Sequence, residues 1–237
     1  MDKFSEEDYR KQLWPPLEEA VKMLLVQQPG VYLKISYEEM YRHVYTSVCN
    51  QHSALIYADL LSLLCEQLAK FSDDLETLTG ANLVENFHTG LKRFTQAIGC
   101  IVPIFAYLNR TYVTLQRKSD LKRELSAILN TTIVEKHVHR VLSELDSIQS
   151  QPFGFNPSAA ADLISYLYDA RPDFARIHPH LFAKFIPNIL PPTREDELPM
   201  YIKETQQMQL ELLTSQEFKR FDSGRKRGLD DTPVVKR

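Results

Sequence analysis

Apolar residues recur at spacings of three and four along almost the whole chain, and nowhere is there a sustained alternation of apolar and polar residues. A period near 3.6 buries one stripe of a helix, whereas a half-buried strand needs a period of 2, so the pattern confines the chain to an all-α fold. Glycine, at seven residues in 237, offers few places to break a helix. Trp14-Pro15-Pro16 is expected to open a first helix, because proline is tolerated in a first turn, with Leu17, Val21, Leu24 and Leu25 inward and Pro29-Gly30 at its end. A second helix starts near Tyr37. A third runs from about Ala54 to Leu78, with Leu55, Leu60, Leu61, Leu64, Leu68 and Phe71 inward and Gly80 closing it. Asn82 with Glu85 reads as the cap of a fourth helix through Phe87, Leu91 and Phe94. A fifth places Ile98, Ile101, Phe105, Leu108, Tyr112 and Leu115 on one face, with a kink at Pro103, which removes the bond to the Gly99 carbonyl. A sixth runs from about Asp120 to Gln149 through Leu121, Leu125, Ile128, Leu129 and Ile133.

The turn-rich run Gln151-Pro152-Phe153-Gly154-Phe155-Asn156-Pro157 follows, and it sets the expected domain organisation. Residues 1–150 are a five-helix bundle plus the sixth helix, 151–218 a helical extension packing on the bundle, and 219–237 a disordered basic tail. In the extension Ser158 is expected to cap a helix containing Leu163, Ile164, Leu167 and Tyr168, after which Arg171-Pro172 and His178-Pro179 cut the chain into short helices. Phe182, Phe185, Ile186, Ile189 and Leu190 are too apolar for a free linker and read as a docked cap over the open end of the bundle. A final polar helix is expected from about Glu195 to Phe218.

The second helix carries the strongest functional signal. Ser36 followed by Glu39 has the form of a capping box, in which a hydroxyl and a carboxylate satisfy the free amides of a first turn. Met40, Val44 and Val48 then form a narrow inner stripe, Tyr37, Tyr41 and Tyr45 run along its edge at i, i+4 and i+8, and Glu38 and Arg42 lie just beyond. Tyrosine and arginine are over-represented among interface hot spots, so this edge suits a partner's rim; equally, tyrosines fill a helical core and keep their hydroxyls at its border. On the fifth helix Tyr107 projects opposite the apolar face, with Arg110 on the same outer side.

A formal net charge of -3 gives no overall electrostatic case for nucleic acid or an anionic membrane. The acidic start Met1-Asp2-Lys3-Phe4-Ser5-Glu6-Glu7-Asp8 is unlike a signal or transit peptide, and the longest nearly apolar run, Ala97 to Leu108, is too short to span a bilayer. The expected location is nucleus and cytoplasm. Cys49, Cys65 and Cys100 are odd in number and read as reduced core thiols. Glycine-rich phosphate loops, nucleophile elbows, H-E-x-x-H and paired C-x-x-C motifs are all missing. Cys49-Asn50-Gln51-His52 has ligand-like spacing but no second pair to complete a zinc site. His137 with His139, and His178 with His180, are two apart, do not share a helical face and read as solvated. The expectation is a protein without catalytic residues, metal or cofactor. In the tail, seven Lys/Arg stand against three Asp. Arg225-Lys226-Arg227 has the form of a short nuclear import signal, though solubility alone explains many such clusters. Arg227-Gly228-Leu229 is a bare R-x-L cyclin-docking form, and Thr232-Pro233 is a candidate phosphorylation site whose phosphate would offset the basic charge and weaken import.

The order Trp14, Ile35-Ser36-Tyr37-Glu38-Glu39-Met40-Tyr41, Val44-Tyr45, Tyr57 and Ile104-Phe105-Ala106-Tyr107-Leu108-Asn109-Arg110-Thr111-Tyr112-Val113 resembles the first N-terminal repeat of a cullin over roughly residues 9 to 150. Over nearly the whole chain, including Lys184-Phe185-Ile186-Pro187-Asn188-Ile189-Leu190-Pro191-Pro192 and the tail, it resembles cyclin-dependent-kinase-associated cullin-domain proteins. One departure is Phe94, where cullins usually place a tryptophan. The resemblance implies a cullin-repeat-like helical bundle with a C-terminal helical extension and disordered basic tail. Its second and fifth helices would receive BTB-type or related adaptors through Ser36, Tyr37, Glu38, Tyr41, Arg42, Tyr45, Tyr107 and Arg110. It also implies a cell-cycle regulator that binds a cyclin-dependent kinase/cyclin complex, promotes its activity and G1/S progression, and contacts ubiquitin-ligase components. The length leaves no room for the cullin region that recruits a RING subunit, so the alternative is a truncated competitor that occupies adaptors and lowers substrate ubiquitination.

Overall fold

A computed structural model describes residues 5–28, 34–149, 156–187 and 198–214, all of them helix, turn or irregular structure and none of them strand. The chain is all-α. It divides into two units, Met1–Pro187 and Asn188–Arg237.

Ser5 starts the first helix well before Trp14. Its Oγ accepts the Asp8 amide at 3.2 Å while the Asp8 carboxylate accepts the Ser5 amide at 2.9 Å, so two free donors are satisfied reciprocally. This helix, α1 (6–26), contains a π turn at Tyr9–Leu13 in which the Trp14 N–H reaches back five residues to the Tyr9 carbonyl. Pro15 and Pro16 therefore fall where the bond ladder is already shifted, and the helix passes through them. The Tyr9 ring is fully buried and its hydroxyl donates to Asp59 at 2.8 Å, an ion-pair partner of Arg10.

The remaining helices of the first unit are α2 (Tyr37–Cys49), α3 (Ser53–Thr77), α4 (Gly80–Ile104), α5 (106–116), α6 (121–149), α7 (Pro157–Ala170) and α8 (Pro179–Phe185), with a 3-10 turn at Pro172–Arg176. The centre is α4, which buries ten residues from Leu83 to Ile104 and packs against α1, α2, α3 and α6. Together with α5 it is long and apolar, but that apolarity is the buried core of the bundle; no single described helix is long and apolar enough to cross a membrane.

Several expectations need correction. Gly80, at φ +60, opens α4 instead of closing α3, and Asn82 lies inside that helix with its carbonyl accepting from Asn86 Nδ2. The fourth helix also takes Ile98, Ile101 and Ile104 from the expected fifth. Pro103 sits in the last turn of α4, and the chain turns by 72° after Ile104, so the break is a helix boundary and not an internal kink. In α5 a π turn at Asn109–Val113 rotates the face: Val113 is buried, Tyr112 half-buried, and Leu115 is 71 % exposed. On α3 the inner stripe is Ile56, Leu60, Leu63, Leu64, Leu68 and Leu75, with Leu55, Leu61 and Phe71 only partly covered, and Ile128 on α6 is likewise half-buried. The cap of α7 is Asn156, whose side chain accepts from the Ser158 amide at 2.9 Å. Cys49 and Cys65 are exposed and Cys100 half-buried, since each falls beside an apolar stripe and not within it.

His137 is buried, not solvated. It lies on the side of α6 that meets α3, with Nε2 2.9 Å from Ser72 Oγ, which also accepts from Lys136 Nζ at 2.9 Å. Arg140 donates to the Leu75 and Leu78 carbonyls at the end of α3. A helix end that has no intrahelical partner for its carbonyls is thus closed by the neighbouring helix. The segment after α6 packs through Leu163, Ile164, Leu167, Leu181 and Phe182, and is pinned by Lys92 to Asp162 at 2.8 Å and Arg171 to Glu135 at 2.7 Å. The short helices expected after Arg171-Pro172 and His178-Pro179 are present. In the second unit, α9 (Leu198–Thr214) occupies the expected final helix and exposes Leu198, Met200, Tyr201 and Ile202. The break at 151–155, Ile189, Leu190 and the tail, including Arg225, Lys226, Arg227 and Thr232, lie outside the described residues.

Candidate functional site

Helix α2 is held by its start and its inner stripe. Ser36 Oγ accepts the Glu39 N–H at 3.3 Å, the serine half of the expected capping box. Met40 and Val44 are buried, and the third inner position belongs to Ser47, not to the half-buried Val48. The Ser47 hydroxyl, fully buried, donates to the His43 carbonyl at 2.8 Å, which removes the cost of an unpaired polar group. With that side anchored, Tyr37, Tyr41 and Tyr45 are left 43 %, 39 % and 46 % exposed.

Ser36, Glu38, Glu39, Tyr41, Arg42 and Tyr45 line one open groove of about 600 Å³. Five of the eight residues selected from the sequence therefore surround one depression. Glu39 was missed because its capping role accounted for it; the signal was its place one turn before His43, whose Nε2 stands 3.9 Å from its carboxylate. Burial lowers the His43 pKa, against the pull of that carboxylate. Tyr37 is exposed on the same helix but does not line the groove.

The fifth helix meets this face through one ring pair. Tyr45 and Tyr107 have centroids 4.7 Å apart with planes tilted by 51°, and the Arg110 guanidinium lies 5.6 Å from the Tyr107 centroid. Tyr107 is consequently half-buried, and Arg110 remains exposed. A hydrogen bond with Cys49, one turn further on, raises the Tyr45 phenol pKa, with smaller contributions from the charges of Cys49 and Tyr107.

The string Tyr107 to Val113 divides into two jobs. Leu108 and Val113 are buried. Asn109 accepts the Leu121 N–H at 2.9 Å and donates to Asp120 at 3.0 Å, fixing where α6 begins relative to α5. Tyr112 packs on Tyr57, centroids 5.6 Å apart, and Tyr57 donates to Glu124 at 2.5 Å; burial first, then that bond, pushes the Tyr57 phenol up to about 12. Those four residues set the angle of α5, and Tyr107 with Arg110 are what the angle presents beside α2. Among the described residues no group of His, Cys, Asp and Glu is arranged to hold a metal; the groove is lined by two carboxylates, an arginine, two tyrosines and Ser36.

The bundle, with a sharp turn after the fourth helix that sets the fifth against the second, fits the fold of the family that its sequence matches. Residues 14–177 match the family model of the cullin alpha solenoid domain, and the chain belongs to the cullin family. It is 34 % identical over 225 residues to the CDK2-associated and cullin domain-containing protein 1 of Rattus norvegicus, covering 95 % of this chain and 56 % of that protein. It is 22 % identical over 149 residues to Cullin-3A of Arabidopsis thaliana, 62 % of this chain and 20 % of the cullin, and 24 % identical over 113 residues to Cullin-3B, 48 % and 15 %. The chain spans little more than half the length of the first relative and a fifth or less of the two cullins.

Proposed function

We propose that this chain is a non-catalytic cullin-domain interaction protein that associates with a cyclin-dependent kinase/cyclin complex, promotes its activity and G1/S progression, and acts in nucleus and cytoplasm. The observation that carries this reading is the 34 % identity across 95 % of the chain to a protein named for its association with CDK2. The test is co-purification of the chain with a CDK2–cyclin complex and the histone-directed activity of that complex with and without it. Bound kinase with raised activity supports the reading; neither binding nor a change of activity rejects it.

A second reading is favoured by the groove. The face formed by Tyr41, Tyr45, Arg42 and Tyr107 engages BTB-type or related adaptors and ubiquitin-ligase components, and in excess the chain competes with cullins for them. Binding of a purified BTB adaptor, lost in a folded Tyr41→Ala/Tyr107→Ala variant, supports it, because truncating interface hot spots costs about 2 kcal/mol or more each. Unchanged binding by that variant removes the groove from the account.

A further inference from the structure

Helix α6 begins with two cations in its first turn beside its capping Asp120 and Glu124. Lys122 and Arg123 occupy its first turn, where the unpaired amide ends of the helix favour anions and disfavour cations. The connection from α5 adds Lys118, held at φ +53, a left-handed conformation normally given to glycine or asparagine. All three are exposed, and none takes part in an ion pair among the described residues. The two nearby carboxylates are engaged elsewhere: Asp120 accepts from Asn109 and from the Arg123 amide, and Glu124 accepts from Tyr57 and from Arg117 at 3.4 Å. The hydrogen bond from Asn109 first, and Lys122 among lesser causes, hold the Asp120 carboxyl below its usual range, so Asp120 stays ionised and offsets one of the neighbouring cations. Three residues before Lys118, at the end of α5, Leu115 is the most exposed large apolar side chain described, at 71 %.

We infer that Leu115, Lys118, Lys122 and Arg123 form a second docking surface, separate from the groove on α2, for an acidic peptide segment of a partner protein that carries an apolar residue among its carboxylates. Arg117, Lys118, Lys122 and Arg123 outnumber Asp120 and Glu124 by two, and that surplus in the same stretch of chain as an exposed leucine is complementary to that chemistry. A phosphate backbone has nothing to set against Leu115, and the formal net charge of -3 opposes the long-range attraction on which nucleic-acid binding depends. Short-range pairing on a local patch survives an unfavourable overall charge because exposed charges are screened beyond about 10 Å at ordinary salt.

The test uses the full chain and a fluorescein-labelled twelve-residue peptide of Glu, Asp and Leu, read by anisotropy, beside a single-stranded oligonucleotide of equal charge. The variant is Lys118→Glu/Lys122→Glu/Arg123→Glu. Glutamate suits the first turn of a helix, so this variant is expected to melt no lower than the parent while binding the peptide about tenfold or more weakly, the loss expected for several surface ion pairs together. Leu115→Ser is expected to weaken the peptide and leave the weak oligonucleotide signal unchanged, and Tyr41→Ala to leave peptide binding unchanged. Equal peptide binding by the reversed variant, or tighter binding of the oligonucleotide than of the peptide, overturns the inference.

Discussion

Tyr45 of α2 and Tyr107 of α5 stand with ring centroids 4.7 Å apart, and this ring pair joins the groove on one helix to the arginine on the next. It sets Tyr45 and Tyr107, which hold the two helices together, apart from Tyr41. Tyr41 lines the groove and is 39 % exposed, with no ring partner among the described aromatic pairs. Tyr41→Ala is therefore expected to change stability by less than about 0.5 kcal/mol, as surface substitutions usually do, while weakening adaptor binding. Tyr107→Ala removes a ring pair and a cation–π contact and is expected to destabilise by about 1–2 kcal/mol as well. Thermal melts run beside adaptor titrations check this, and a Tyr41→Ala protein that melts as low as Tyr107→Ala contradicts it.

Gly90 gives a sharper stability prediction. A Cβ built there would collide with Phe71 Cζ, and that ring is itself held against Phe94, 5.3 Å between centroids, and beneath Arg93 at 5.3 Å. The ring cannot retreat without losing both contacts, so Gly90→Ala is expected to cost about 1–3 kcal/mol in urea unfolding, the range for overpacking a filled site. Phe71→Leu in the same chain removes the obstructing ring tip, and the double variant is expected to lose less than the two single losses added together. Strict additivity would mean that the two sites do not touch.

How much of this was legible follows from what a one-dimensional pattern contains. The 3.6 period placed Leu60, Leu64 and Leu68, and the i, i+4, i+8 tyrosines, because those positions depend only on helix geometry. It misplaced Leu115 and passed over the buried Val113, since a π turn inserts a residue into the ladder and leaves no mark in the apolar spacing. It started α4 at Asn82 instead of Gly80, because a capping pattern occurs by chance inside a helix, and it divided α4 from α5 between Phe94 and Ile98 instead of at Ile104, because Pro103 acts as a terminator only when the following turn is free to bend. His137 was read as solvated because nothing local distinguishes it from His139; Ser72, which receives it, is 65 residues away. The pairing of Tyr45 with Tyr107 was equally invisible locally, although the resemblance to cullins brought both residues to one face.

The link between α2 and α3 can be improved. Gln51 sits at φ +69, with its amide donating to the Val48 carbonyl at 3.1 Å and the His52 amide to Ser47 at 3.0 Å, the paired bonds of a Schellman ending. A left-handed residue with a Cβ costs about 1–2 kcal/mol, partly returned by the greater freedom of glycine in the unfolded chain. Gln51→Gly is accordingly expected to stabilise by about 0.5–1 kcal/mol without altering the groove. A lower melting temperature would show that the Gln51 side chain contributes more than its backbone strain costs.

Acid should act first through one buried and two half-buried histidines. Burial is the leading cause that lowers the pKa of His43, His88 and His137, and in His137 the neighbouring Lys136 and Arg140 add to it. A histidine whose folded pKa lies below its unfolded value near 6.5 leaves stability level above that pH, and stability then falls with pH as the unfolded chain takes up protons the fold refuses. The lowered carboxyls of Glu66, Glu76, Asp120 and Asp162 act the same way only below their own unfolded values near 4, so the window from pH 6.5 to 5 isolates the histidines. The slope there approaches about 1.4 kcal/mol per pH unit for each histidine kept neutral. His137→Gln keeps a group able to bond Ser72 but does not titrate, and it is expected to lower stability at pH 7.5 while flattening the loss between pH 6.5 and 5. Urea unfolding at four pH values measures both, and an unchanged slope in the variant would mean that His137 is protonated in the folded protein, with Glu76 outweighing burial, Lys136 and Arg140.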